Sequence, residues 1–159
     1  MILRIFAVVI ILLFSQITFA TKVILIIPDE KGPAFWNIVH QVSAASAKSL
    51  DVHLEVIYGG SNRFSTLDII EGIVARPIKP DYLIFRPFYG NAASVLDLIE
   101  AKGILFVTLE QAFSGEEAME LQRPGQKYKH WIGEVAYDNA NGGLLLLNAL
   151  LKEHRIRHP

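Results

Sequence analysis

Short apolar runs alternate along this chain with longer stretches in which apolar residues return every three or four positions. Val23–Ile27, His53–Tyr58, Tyr82–Phe85 and Ile104–Leu109 are rich in β-branched and aromatic residues and too short for buried helices, so they read as strands. Trp131–Val135 is a weaker fifth run. Between the first two, Phe35, Ile38, Val39, Val42 and Ala45 recur at helical spacing and predict one apolar helix face. Ser65, followed by Asp68, predicts the capped start of a second helix. Its stripe is Leu67, Ile70, Ile73 and Val74, and Pro77 and Pro80 end it. A third helix is expected from Ala92 to Lys102, with Asn91 as its N-cap and not a ligand contact, and Gly103 as its C-cap.

Strand and helix alternating at intervals of about 25–30 residues is the signature of an α/β fold, a doubly wound parallel sheet. The unbroken apolar character of VILII and ILFV fits strands covered on both faces. After Leu109 the rhythm fails. Glu110–Lys129 is polar, carries Gly115, Pro124 and Gly125, and predicts only a short helix at Glu116–Leu121. Asp138 then stands as N-cap before a helix whose Leu144, Leu145, Leu147, Leu150 and Leu151 need an apolar partner. A basic tail, HRIRHP, follows it. This helix reads as the opening of a further unit.

The ends place the chain. Arg4, the apolar run Ile5–Phe14 and the small residues Thr18 and Ala20 have the three parts of a signal peptide, which predicts cleavage before Thr21 and a periplasmic location. The run is too short for the ~20 residues that span a bilayer. Of 159 residues, 139 remain after removal of residues 1–20, enough for one domain with a real core. With no cysteine, an exported domain must rest on that core, as bacterial periplasmic proteins do. A net charge of −1 argues against nucleic acid or anionic membrane as a partner.

Enzyme signatures are absent: no G-x-S-x-G, P-loop, H-E-x-x-H, or G-x-G-x-x-G after the first strand. No catalytic residue and no cofactor is therefore assigned, and His40, His53, His130, His154 and His158 form no metal set. Asp29, Glu30 and Lys31 read as a solvated loop, and Gly59-Gly60 as a turn pair. Ligands of open α/β sheets meet the carboxyl ends of the strands, which singles out three places. Phe35 and Trp36 open the first helix and point about 100° apart, so either one packs under the sheet while the other faces the cleft, or both only pack. A flat aromatic there would suit the apolar face of a sugar ring. Glu110 and Gln111 follow strand four; they are either a surface pair or a carboxylate and an amide that bind neighbouring hydroxyls. Arg86 ends strand three, and Pro87 fixes the loop behind it.

The segments GPAFWNIVHQVSAASAKSLDVHLEV, KPDYLIFRP, KGILFVTLEQAF and HWIGEVAYDNANGGLLLLNALL occur in an order that resembles type I periplasmic binding proteins, the ribose- and galactose-binding group. The resemblance implies a non-enzymatic, exported solute-binding protein that closes two lobes on a small polar ligand, a carbohydrate. Its membrane partner would be an ABC permease or, as an alternative, a sensor histidine kinase or chemoreceptor. A stand-alone flavodoxin-like enzyme is the remaining reading. The resemblance further implies that Phe35 and Trp36 line the sugar site and that Glu110 and Gln111 bind its hydroxyls. Relatives often carry Asp-Arg at the latter pair and Asn in place of Pro33, so neither ribose nor galactose follows. The implied layout is a leader over 1–20, an N-terminal lobe over 21–135 with a crossover near its end, and the first helix of an incomplete second lobe with its tail over 136–159.

Overall fold

The computed structural model describes residues 20–28 and 34–157. The expected leader, except Ala20, lies outside the described residues, as do Asp29, Glu30, Lys31, Pro33 and His158. Strands and helices alternate throughout: β1 (Lys22–Ile27), α1 (Ala34–Ser49), β2 (His53–Tyr58), α2 (Arg63–Val74), β3 (Tyr82–Phe85), α3 (Ala92–Glu100), β4 (Leu105–Glu110), α4 (Gly115–Leu121), β5 (Trp131–Ala136) and α5 (Asn139–Arg157). The strands form one sheet in the order β2-β1-β3-β4-β5, every neighbouring pair parallel. This is the doubly wound α/β architecture expected from the alternation, with the order reversing between β1 and β3.

Successive side chains of a strand point to opposite faces, and the two faces are covered unequally. Ile24, Ile26, Leu83, Phe85, Phe106 and Trp131 pack on one side against Ile70 and Ile73 of α2, Val95, Leu96 and Ile99 of α3, and Leu121 of α4. Stacking of Phe106 on Trp131, with ring planes 7° apart, closes that core next to β5. Leu25 and Ile27 point the other way, toward Trp36 and Val39 of α1, with Leu54, Val56, Tyr58, Ile84 and Leu109 around them. Among the described residues, three helices thus cover the first face and α1 alone covers the second.

Several local expectations need correction. The face of α1 that meets the sheet is not the expected stripe. Trp36 and Ala47 are its buried residues, while Phe35, Ile38, Val42 and Ala45 are exposed and only Val39 is half-buried. The start of α2 is set by Asn62, whose Oδ1 accepts from the N–H groups of Phe64 and Ser65. Ser65 completes that capping box instead of opening the helix. At α3, Asn91 holds the N-cap position but makes no side-chain cap; its Nδ2 donates to the Arg63 carbonyl and ties the starts of α2 and α3 together. The C-cap of α3 is Ala101, and Gly103, at φ +66°, lies beyond it. Asp138 does cap α5, accepting at 2.9 Å from the Asn141 N–H. None of the residues of α5 is buried. No helix among the described residues is long and apolar enough to cross a membrane.

Candidate functional site

Because all five strands run the same way, their carboxyl ends emerge along one edge of the sheet, and the site candidates collect there. Phe35 and Trp36 open α1, Arg86 follows β3, Glu110 ends β4 and Tyr137 follows β5. Trp36 is buried against Leu25 and Ile27, whereas Phe35 is 45% exposed. Of the two readings of this pair, one ring under the sheet and one facing out is therefore the arrangement present. Their rings meet edge to face at a centroid distance of 5.1 Å. The Tyr137 ring lies 6.5 Å from that of Phe35, so two aromatics flank the same opening.

Behind that opening runs a cavity of about 330 Å³ walled by Leu25, Trp36, Val39, Ile84, Leu109, Glu110 and Tyr137, among others. Leu25 and Ile84 lie mid-strand, while Glu110, Ala136 and Tyr137 lie at strand ends, so the cavity descends from the carboxyl edge beside α1. Its walls are apolar except for Ser43 of α1 and the top. There Glu110 brings in a carboxylate.

The backbone at Glu110 is unusual. Its φ is +69°, in the left-handed region that residues with a Cβ avoid. The Gln111 N–H bonds the Leu109 carbonyl at 2.8 Å, closing a three-residue turn centred on Glu110. Turns of this kind at a non-glycine residue cost on the order of 1–3 kcal/mol, and such strain gathers at ligand sites. The turn aims the Glu110 carboxylate across the strand ends toward Arg86, whose Nε lies 2.9 Å from Glu110 Oε2. That separation makes an ion pair, but its angle makes no hydrogen bond. Both atoms are buried and neither has a hydrogen-bond partner. Arg86 also lies over the Phe88 ring, 4.8 Å from its centroid, which fixes the guanidinium plane.

Of the five candidates, Phe35, Trp36 and Glu110 line the cavity together. Arg86 joins them only through Glu110, and Gln111 is not among the walls; its backbone closes the turn. Sequence reasoning missed Tyr137. The signal available was its place directly after the weak fifth strand, the same carboxyl-end logic that picked out Glu110. Among the described residues, no group of histidine and acidic side chains is set to hold a metal ion.

No protein-family model and no curated protein matches the chain. Solved structures do. An ABC transporter, LacI family transcriptional regulator from Brachyspira murdochii superposes with a TM-score of 0.65 at 15% identity, over 87% of this chain and 40% of its own. A periplasmic solute-binding protein of an ABC transporter from Actinobacillus succinogenes, with bound D-allose, gives 0.63 at 20% identity, over 79% and 41%. A glucose-galactose binding protein from Geobacillus stearothermophilus gives 0.62 at 22% identity, over 87% and 44%. The chain thus spans less than half the length of each of these structures. Within that span it has the α/β fold of type I periplasmic sugar-binding proteins.

Proposed function

We propose that this chain is an exported solute-binding protein that takes a small carbohydrate at the carboxyl edge of its sheet, for uptake through an ABC permease. The observation that carries the reading is the half-buried Glu110–Arg86 ion pair, whose facing atoms, themselves buried, lack hydrogen bonds and lie beside an exposed aromatic. Glu110 lines the cavity, and a charged carboxylate there accepts stronger hydrogen bonds from hydroxyls than a neutral group does. One ring of Phe35 or Tyr137 can cover the C–H face of a sugar, as the apolar body of an aromatic does. A carboxylate and a guanidinium side by side carry no net charge, which suits a neutral polyol better than an anion. The fold supports this reading, since two of the similar structures are sugar-binding proteins by description.

In the same proposal residues 1–20 are the export leader, residues 21–135 form one wall of a two-lobed cleft, and the segment from 136 onward opens the second wall. One wall makes part of the contacts, so affinity for this chain alone is expected near the millimolar range, about −4 kcal/mol. The test is a titration of ¹⁵N-labelled chain with D-allose, D-glucose, D-galactose and D-ribose, read amide by amide. Shifts confined to Phe35, Trp36, Glu110 and Tyr137, and lost in Glu110→Gln, are expected for at least one sugar. Shifts scattered over the surface, or none up to saturating sugar, would overturn the assignment.

A further inference from the structure

The cavity behind the carboxyl edge is polar at one end only. Its floor is Leu25, Ile84, Leu109 and Val135, one residue from each of β1, β3, β4 and β5, all on the sheet face that α1 covers. With neighbouring strands about 4.8 Å apart, that floor is roughly 14 Å wide. Trp36, Val39 and Ser43 follow one another at helical spacing and form the wall on the α1 side, about 10 Å along the axis. Among the described residues, the polar side chains of the lining are Ser43, Glu110 and Tyr137, and the last two stand at strand ends. Leu25, Ser43 and Ile84 also line a second cavity of about 270 Å³, which continues beside α1 past Val42 to Leu50 without a charged wall.

A sugar held by Glu110 and one aromatic ring occupies the mouth and leaves the rest of this space unfilled. Hydroxyls pushed deeper would give up water and find only Ser43 to bond, which burial penalises. An apolar group placed there leaves water at a gain. The charges narrow the ligand further. Glu110 offers acceptors to hydroxyls, while Arg86 is not among the walls, so the lining presents no cation to an anionic head group. A neutral molecule, rich in hydroxyls at one end and apolar along the rest, matches that layout.

We propose that the ligand is a glycoside with an apolar aglycone. Its sugar sits at the mouth between Glu110 and the Phe35 or Tyr137 ring, and its aglycone lies in the cavity between α1 and the sheet. The inference rests on the carbohydrate reading for the head group and adds the apolar part. A volume of about 330 Å³ is that of small-molecule sites, which are mostly apolar with a few placed polar groups.

Methyl, butyl, hexyl and octyl β-D-glucosides and β-D-galactosides, each below its micelle concentration, are titrated into the ¹⁵N-labelled chain. Affinity is expected to rise about fourfold per added methylene, as burial of each in an apolar site gives. Amide shifts should spread with chain length from Glu110 and Tyr137 to Val39 and Ser43. Ser43→Phe, which fills the space where the two cavities meet, should flatten the series, with circular dichroism showing that the fold is kept. A flat series in the parent chain, with shifts confined to the mouth, overturns the apolar aglycone and leaves the sugar reading standing. A series that stays steep in folded Ser43→Phe overturns the placement beside α1. If 1-octanol binds as tightly as the octyl glycosides, or no glycoside shifts any amide, both readings are overturned.

Discussion

At Gly60 there is no space for a side chain. A Cβ there would lie 2.7 Å from Ile26 Cγ2, inside the face that packs on α2, whereas a Cβ at Gly72 in α2 would meet nothing within 4 Å. Gly60→Ala is therefore expected to destabilise the fold by about 1–3 kcal/mol through overpacking. Gly72→Ala should stabilise it by up to about 1 kcal/mol, since alanine has the better helix propensity. Urea midpoints measure both, and a Gly60→Ala midpoint at or above that of the parent would show that the turn after β2 yields freely. The sequence announced a turn at Gly59-Gly60 but not the reason for the second glycine, because Ile26 is far away along the chain. Glu110 shows the same limit from the other side. Its position at a strand end was legible, yet nothing in a glutamate signals a left-handed backbone, and that backbone is what directs its carboxylate at Arg86.

Elements were easier to read than the surfaces by which they meet. All five strands came from short apolar runs, and Asn91 and Asp138 marked the starts of α3 and α5, because these signals are local, whereas the other helix ends were mostly missed or unread. The orientation of α1 was not local. Two apolar stripes lie one residue apart on it, and only the sheet decides that Trp36 turns inward in place of Phe35, Ile38 and Val42. The tie between α3 and β5 was equally hidden. Glu100, the last residue of α3, accepts from the N–H groups of Lys129 and His130 at 2.9 Å each and lies 3.0 Å from His130 Nδ1. Burial pushes its carboxyl up, but the hydrogen bonds from His130 and Lys129 outweigh burial and hold it below its ordinary value of 4.5. A carboxylate depressed in the folded state contributes stability that is complete above the ordinary value and is lost as pH falls through the lower, folded one. Glu100→Gln should thus be less stable than the parent at pH 7, and the difference should shrink as pH drops below 4.5. Urea unfolding at a series of pH values gives the curve; a constant difference across that range would mean the carboxylate's charge does not matter.

The molecule as a whole is lopsided, and its dynamics should be too. The face under α2, α3 and α4 holds most of the fully buried side chains, including Trp131, Phe85 and Phe106, while the face under α1 holds few and α5 none. Amide protection follows burial and local packing. Amides of β1, β3, β4 and α3 are therefore expected to exchange slowest, with rates that track global unfolding. Those of α5 should exchange within the first time points in dilute solution, since an isolated helix of 19 residues is only marginally stable in water. Hydrogen exchange followed by mass spectrometry measures both, and protection of α5 equal to that of β1 and β3 would show that the helix is held as firmly as the core.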